Sequence, residues 1–241
     1  MKFPPGTIHH FQKHSRAVIT GSLELMKYAK RFNDNVIVHS SPIIEHQRPK
    51  QKRNAVLTIG WIGFYNAHRE NLMKILFPAL LQIDIPIKFM LLGVTRSIHI
   101  QELHEALKGK ENILIDIPEQ VDWLDEDSVY AKVAGFDVGI APLIDNPYNR
   151  AKSAFKLKQY LSCGIPVLGS RVGENKTVIQ NGLNGFFCDT PEDYLKMILF
   201  FAHLQEEKYS EYCINAKLSS ASFSMNKYCD SFMEFCQTLS V

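Results

Sequence analysis

Residues 153–170 decide the fold, and they read SAFKLKQYLSCGIPVLGS. Apolar side chains recur at helical spacing as far as Ser162, and Gly164 is typical of the residue that ends a helix. Pro166 disfavours a new helix and is followed by the short apolar run VLGS. The segment therefore predicts a helix, a tight turn and a buried strand, which together repeat in a parallel sheet.

The same alternation of strand and helix extends over most of the chain. Apolar runs that favour strands occur at 17–20, 36–38, 56–59, 88–92, 113–115, 138–141, 167–169 and 185–188. Most runs are continuously apolar, as in strands that helices cover on both faces. Helical patterns fall between them, for example after the capping residue Ser22 and over 71–82. The predicted fold is α/β, a doubly wound, Rossmann-like parallel sheet.

Composition excludes several classes of protein. The 27 basic and 25 acidic residues leave a net charge of +2, which does not favour nucleic acid as a partner. The five cysteines form no CxxC or Cys/His spacing, so neither a disulfide framework nor a zinc site is indicated. The sequence has no signal-peptide pattern and no apolar run of the length, about 18 residues, that a membrane helix needs. A cytoplasmic location without a transmembrane segment is expected.

Glycines follow two of the predicted strands, where ligands of open parallel sheets bind. Gly60 and Gly63 frame the GWIG sequence after the run at 56–59. Such glycines let backbone N–H groups approach a phosphate, although they also form ordinary turns. Gly93 follows the run at 88–92 and offers a place for the base of a nucleotide to pack, or simply a turn.

Cations gather at the start of the helix that opens the deciding segment. Lys152 and Lys156 lie four residues apart, on one helix face, with Ser153 between them. Positive charge at a helix N-terminus opposes the helix dipole, so a bound diphosphate would remove an unfavourable interaction. The alternative is that these lysines are solubilising surface residues.

Further candidates lie in the same helix and in the loop after the next strand. Lys158 is predicted to point into solvent because it lies on another part of the helix surface. The amide of Gln159 could bond ribose hydroxyls, or it could be an exposed glutamine without a partner. Gly173 and Glu174 lie where a donor sugar could be contacted, and an ordinary strand-to-helix loop explains them equally well.

Residues 142–198 resemble the donor-domain signature of retaining GT-B glycosyltransferases of family 4, in the branch that reads K-x-x-x-K-x-x-x-Y-x-x-x-G-x-P-V. Residues 56–72, VLTIGWIGFYNAHRENL, are similar to the first donor-domain strand and glycine loop of that branch. The resemblance implies a nucleotide-diphosphate sugar as substrate, with no cofactor and no metal. It leaves the catalytic residues unassigned.

The resemblance also implies roles for individual residues. Gly63 would approach the donor phosphates, Lys152 and Lys156 would hold the diphosphate, and the Ser153 end of the helix would add backbone donors. Stabilising the departing diphosphate would then be the main catalytic contribution, because fixed donors act on the charge that develops there. Front-face attack by an acceptor hydroxyl would retain the configuration of the sugar.

The chain departs from the family pattern around the donor sugar. Relatives carry an arginine after the first glycine and a Glu-x7-Glu pair, whereas this chain has Trp61, Ala151 and Gln159 at those positions. His68 and Arg69 lie near the usual place of a donor-contacting lysine, but the alignment does not choose between them.

A division into three parts follows from composition and from the resemblance. Residues 45–54, EHQRPKQKRN, contain no apolar side chain and indicate a linker or a solvated loop. Residues 16–43 resemble the last strand, helix and strand of a GT-B acceptor domain. The expected parts are an acceptor-domain remnant with linker at 1–49, the donor domain at 50–205 and C-terminal crossover helices at 206–241.

The expected function is transfer of a hexose or related sugar to an acceptor hydroxyl in the assembly of a surface polysaccharide or glycolipid. A separate acceptor-domain protein would be the partner, and through it the chain could associate with the inner face of the cell membrane. One alternative is an inactive nucleotide-sugar-binding or interaction protein. Another is a related enzyme such as a nucleotide-sugar epimerase, which would need acidic and histidine residues in both halves.

Overall fold

A six-stranded parallel sheet forms the centre of the computed structural model, which describes residues 6–46, 49–119 and 121–239. The strands are β1 (Val18–Thr20), β2 (Val36–Val38), β3 (Leu57–Ile62), β4 (Ile87–Leu92), β5 (Ile113–Asp116), β6 (Val138–Ala141), β7 (Val167–Gly169) and β8 (Gly185–Phe187). The sheet order is β5-β4-β3-β6-β7-β8, and β1 pairs with β2 in a separate parallel sheet. Each of the eight predicted strands is present, so the predicted fold class is confirmed.

Helices lie between nearly all successive strands, and others precede β1 or follow β8. They are α1 (Thr7–His14), α2 (Leu23–Ala29), α3 (Tyr65–Asn71), α4 (Phe77–Leu80), α5 (Ser97–Ala106), α6 (Glu126–Val133), α7 (Pro147–Arg150), α8 (Phe155–Ser162), α9 (Asn175–Val178), α10 (Pro191–His203), α11 (Glu206–Ser220) and α12 (Met225–Thr238). A π-helical turn, Leu72–Leu76, joins α3 to α4. The helix predicted over 71–82 therefore begins earlier than the apolar spacing indicated.

The core has two layers, one on each face of the large sheet. Successive residues of β7 enter different layers: Val167 packs with α8 and α6, whereas Leu168 packs with α4 and α10. Side chains alternate in this way because a strand is pleated. In β3, all six residues are buried. The continuously apolar runs in the sequence reflect this burial on both faces.

Helix α8 forms where the deciding segment predicted it. It ends at Ser162, and Gly164 follows its C-cap Cys163 with a φ of +68°, which suits glycine. Its N-cap is Ala154 in a left-handed conformation without a side-chain cap, so both Lys152 and Ser153 precede the helix. The prediction that Lys152 and Lys156 share one helix face is therefore wrong, because the helix begins later than the apolar spacing indicated. In contrast, Ser22 caps α2 as predicted, since its hydroxyl accepts a hydrogen bond from Leu25 N at 3.3 Å.

The described part of the polar segment 45–54 packs against the sheet domain. The Lys50 ammonium lies 2.9 Å from the Asp137 carboxylate, with both side chains buried. The backbone N–H of Arg53 donates to Glu206 Oε1 at 2.9 Å. These contacts show that Lys50 and Arg53 are packed rather than solvated, while the role of the segment as a linker stays a prediction. Residues 47 and 48 of the segment lie outside the described residues.

The two long C-terminal helices contact different parts of the chain. The Tyr209 hydroxyl of α11 donates to the Asp137 carbonyl at 3.0 Å, inside the sheet domain. The Tyr228 ring of α12 packs on His39, after β2, with ring centroids 3.8 Å apart. Helix α11 thus covers the sheet domain, whereas α12 contacts the 1–49 segment. The three-part domain division stays a prediction.

Candidate functional site

A cleft of about 700 Å³ opens at the carboxyl ends of β3 and β6. The chain runs from β3 outward to β5 and then returns to β6, so these neighbours form the switch point at which open parallel sheets bind ligands. The lining residues come from seven parts of the chain: Gly21 and Leu25; Ser41; Ile62, Gly63 and His68; Trp123, Glu126, Val129 and Tyr130; Ala141 and Leu143; Ala151, Lys152, Ser153, Ala154, Phe155, Lys156 and Gln159; and Asn175.

Three nitrogen-bearing side chains converge in this cleft. Lys156 Nζ lies 3.1 Å and Lys152 Nζ 3.3 Å from Nε2 of His68. The structure thus brings together the two predicted lysines and one of the two residues that the alignment left open. The other, Arg69, points away and forms an ion pair with Glu102.

The environment of the cluster lowers the basicity of all three groups. Burial lowers the pKa of Lys156 to about 7, helped by the charge of Lys152, and burial lowers the pKa of Lys152 to about 8. Burial and the two lysines lower the pKa of His68 to about 2, so its imidazole is neutral. Among the described residues, no carboxylate forms an ion pair with either lysine. The cluster therefore lacks a negative partner within that part of the chain.

Tyr160 positions the lysines relative to the glycine loop. Its hydroxyl accepts a hydrogen bond from Ile62 N at 3.0 Å, which ties α8 to the end of β3. A Cβ atom on Gly63 would lie 3.0 Å from Lys156 Nζ, so the glycine backbone directly adjoins the ammonium group. A phosphate in the cleft could contact both, because glycine leaves the backbone accessible.

The other glycines predicted to face the ligand serve packing. Gly60 lies inside β3, where a Cβ atom would overlap the ring of Phe136 at 2.0 Å. Gly93 has a φ of +100°, and its Cβ atom would lie 2.1 Å from the carbonyl oxygen of Gly63. Gly93 is not among the described residues that line the cleft. Its contact with a nucleotide stays a prediction, and the structure gives it a clear role in supporting the Gly63 loop.

Gly173 and Glu174 also lie outside the described lining of the cleft. A Cβ atom on Gly173 would approach the Arg150 carbonyl oxygen to 2.6 Å. Glu174 is buried and accepts a hydrogen bond from Leu23 N at 2.8 Å, which joins the loop to α2. Their contact with a donor sugar stays a prediction. Gln159, in contrast, does line the cleft.

The prediction that Lys158 points into solvent is wrong. Its side chain is buried, and its Nζ donates to Ser40 Oγ at 2.7 Å and to the Ser41 carbonyl at 3.0 Å. The helical spacing predicted that Lys158 and Lys156 lie on different faces of the helix, and this part of the prediction is confirmed. The segment after β2 covers that face, and no local pattern reveals such a tertiary contact.

Sequence reasoning missed the wall formed by α6 and the loop before it. Trp123, Glu126 and Tyr130 line the cleft there. Burial raises the pKa of Tyr130 to about 12, so its hydroxyl keeps its proton. The aromatic residues near the carboxyl end of β5 were the available signal, but their spacing is also that of an ordinary surface helix.

Trp61 stands where relatives of the family carry an arginine. The indole is fully buried and lies edge-on to His68, with ring centroids 5.7 Å apart. Lys156 Nζ lies 4.9 Å from the ring centroid, within the range of a cation–π interaction. An aromatic face thus supports the ammonium group at this point of the cleft.

The fold and the cleft define a doubly wound α/β protein with a ligand site at the switch point of its sheet. The family model described as "Glycosyl transferases group 1" matches residues 53–203. The chain belongs to this glycosyltransferase family, which confirms the resemblance at that level. No curated protein matches the chain.

Solved structures share the GT-B fold at low sequence identity. A glycosyltransferase from Rickettsia africae is 16% identical with a TM-score of 0.69, over 99% of this chain and 68% of that one. Sucrose-phosphate synthase from Thermosynechococcus elongatus is 14% identical with a TM-score of 0.73, over 96% and 60%. HepE of Anabaena, in complex with UDP and glucose, is 14% identical with a TM-score of 0.65, over 94% and 64%.

The chain spans only part of the length of such proteins, from 68% of the Rickettsia protein down to 45% of TarM from S. aureus. Within the described residues, no helix has both the length and the apolar character needed to cross a membrane. The same residues contain no group of three His, Cys, Asp or Glu side chains arranged to hold a metal ion.

Proposed function

We propose that this chain is the donor-binding half of a retaining family-4 glycosyltransferase. It binds a nucleotide-diphosphate sugar in the cleft, and the sugar is transferred to an acceptor hydroxyl. The observation that carries the proposal is the cluster of Lys152, Lys156 and His68 beside the Gly63 backbone.

An anion suits this cluster for physical reasons. Two partly buried lysines that pair with no carboxylate among the described residues are costly to keep charged, as their lowered pKa values express. A diphosphate would supply the missing negative charge and accept hydrogen bonds from both ammonium groups. The same contacts strengthen as charge develops on the departing diphosphate, so the site accelerates transfer without a metal or cofactor.

The remainder of the cleft suits the nucleoside. Trp123, Val129 and Tyr130 give an apolar and aromatic wall, and Gln159 supplies an amide for ribose hydroxyls. HepE, which has the same fold, is solved with UDP and glucose, which supports this class of donor.

The acceptor site belongs to a separate acceptor-domain protein in this proposal. Residues 1–49 correspond to part of a GT-B acceptor domain, 50–205 to the donor domain and 206–241 to the crossover helices. The β1-α2-β2 unit exposes apolar side chains, with Ile19 and Leu23 each 44% and Leu25 40% accessible, and these would contact the partner. The partner would hold the chain at the inner face of the cell membrane, where it would transfer a hexose into a surface polysaccharide or glycolipid.

A second candidate is a protein that binds the donor without transferring the sugar. It is favoured by Trp61 and Ala151, which replace the arginine and one of the glutamates that relatives carry around the donor. In that case donor binding would persist, but added acceptor-domain proteins would not restore turnover.

Calorimetric titration with UDP-, GDP-, ADP- and TDP-sugars tests the proposal. We expect selective binding of one donor, weakened about 10- to 150-fold in Lys152→Ala, which is the range for a hydrogen bond to a charged group. Lys196→Ala is the matched control, because that lysine is exposed on α10 and outside the cleft lining. Absence of binding to every donor would overturn the proposal.

A further inference from the structure

A buried asparagine pair fixes the orientation of one amide next to the cleft. Asn71 and Asn149 are 4% and 2% exposed. Asn71 Oδ1 lies 2.9 Å from the backbone nitrogen of Ile144 and 3.0 Å from Asn149 Nδ2. Since a backbone N–H can only donate, the atom of Asn71 that faces it is the carbonyl oxygen. Asn149 is fixed in the same way, because its Nδ2 donates to the Ile144 carbonyl at 2.8 Å.

The amide orientation determines the tautomer of His68. With its oxygen turned to Ile144, Asn71 presents its NH2 group to His68 Nδ1, at 3.4 Å. That ring nitrogen therefore acts as the acceptor and carries no proton. A neutral imidazole holds one proton, so the proton lies on Nε2.

The Nε2–H group then points at two other donors. Lys156 and Lys152 place their Nζ atoms 3.1 and 3.3 Å from Nε2, and an ammonium group has no acceptor. Three donors thus converge from β3–α3 and from the start of α8, and the Gly63 backbone adjoins them. A ligand that brings several acceptor oxygens into one small volume, such as a phosphate, satisfies all three.

We infer that His68, held by Asn71 as the Nε2–H tautomer, donates a hydrogen bond directly to a phosphate of the bound nucleotide diphosphate. This assignment rests on the proposed function and adds a third donor to the two lysines. A neutral donor suits the position, because a third cation would add repulsion to a cluster that already contains two. Asn71 acts as a positioning residue, because the hydrogen bonds of its side chain go to His68 and to the 144–149 turn.

The tautomer can be read directly by NMR of the protein labelled with 15N in the histidine rings. We expect His68 Nδ1 to be unprotonated in the free chain and to stay so with inorganic pyrophosphate or UDP, while the Nε2 signal shifts on binding. Asn71→Asp is the reference for the opposite state, because its carboxylate can accept a proton from Nδ1. A proton on Nδ1 in the unmodified chain, or an unmoved Nε2 signal with ligand bound, would overturn the inference without any variant of His68.

Binding of variants tests the contact itself. The amide nitrogen of His68→Gln can take the place of Nε2–H, whereas His68→Leu has no donor. We expect His68→Gln to bind UDP and pyrophosphate within about 5-fold of the unmodified chain, and His68→Leu to bind about 10- to 150-fold more weakly.

The outcomes separate the inference from the proposed function. Equal UDP binding by His68→Leu would overturn the role of His68 and leave the donor site standing. Binding of pyrophosphate that depends on His68, with no binding of any nucleotide, would overturn the donor assignment and retain the anion site. Failure of both ligands to bind the unmodified chain would overturn both. Thermal unfolding of each variant verifies that it folds.

Discussion

Lysines on two sides of α8 are in opposite situations: Lys158 is buried, whereas Lys156 and Lys152, which lies just before the helix, are partly buried. On one side of α8, Lys158 donates to Ser40 Oγ and to the Ser41 carbonyl, at 2.7 and 3.0 Å. On the other side, Lys156 and Lys152 face a histidine nitrogen that already carries a proton. A buried cation with oxygen acceptors is part of the structure. Among the described residues, Lys156 and Lys152 meet a protonated nitrogen and aromatic rings but no carboxylate, and such cations define a place for a ligand.

The largest expected effect comes from removing one lysine from each side of α8 and comparing the two variants. Lys156→Ala should weaken donor binding about 100-fold with little loss of stability, because it removes a costly buried charge. Lys158→Ala should leave donor binding within a few-fold and destabilise the fold by about 1–3 kcal/mol, since buried acceptors lose their donor. Calorimetric titration measures the donor affinity of both variants, and chemical denaturation measures their stability. Equal effects of the two variants on binding would show that the two faces do not differ in function.

Gly93→Ala should displace the Gly63 loop, although Gly93 itself does not line the cleft. A Cβ atom there would lie 2.1 Å from the Gly63 carbonyl oxygen, at a φ of +100°. We expect a loss of about 2–4 kcal/mol of stability and weaker donor binding, because the Gly63 loop has to move.

Gly109→Ala is the matched control, since its φ is +80° with nothing within 4 Å of the added atom. It should cost about 1 kcal/mol by backbone strain alone and leave binding unchanged. If the two variants behaved alike, the close approach of Gly93 to Gly63 would not matter for the site.

Donor binding should take up protons near pH 8. A bound phosphate raises the lowered pKa values of Lys156 and Lys152, about 7 and about 8 in the free chain. About 1.4 protons should therefore bind with the ligand at pH 8, about 0.9 at Lys156 and about 0.5 at Lys152, and almost none at pH 6, where both groups are already protonated. Calorimetry in buffers of different ionisation enthalpy measures the uptake, and an enthalpy at pH 8 independent of the buffer would contradict the prediction.

The same pKa values fix the sign of the pH dependence of stability. Between pH 7 and the ordinary lysine pKa of 10.5, the unfolded chain holds more protons at Lys156 than the folded chain does. The contribution of this residue to folding stability therefore rises with pH across that window. Lys156→Ala should remove this part of the slope in denaturation measured from pH 7 to pH 10.

The smallest expected effect is at Gln159. Gln159→Ala should weaken nucleotide binding about 3- to 10-fold, because it removes one neutral hydrogen bond to the ribose. The comparison of UDP with inorganic pyrophosphate localises the effect, since pyrophosphate binding should be unchanged. A similar loss for both ligands would move the role of Gln159 from the ribose to the phosphates.

Much of the candidate site could be predicted from local patterns. The sequence placed Lys152, Lys156 and Gly63 at one end of the sheet, and the structure brings them together there. That they bind an anion stays a prediction. His68 was left open because its position depends on how the helix after β3 packs. The assignment of these residues to a donor diphosphate stays a prediction.

The sequence by itself determined the strands, the order of strand and helix, and therefore the doubly wound fold. Those features depend on the burial pattern and the turn residues of single segments, and a short stretch of sequence contains both. Only the tertiary structure decided that Lys158 is buried under residues 39–42 and that Asn71 meets Asn149 and His68. Such contacts join residues far apart in the chain, so their energy depends on packing that no local spacing records.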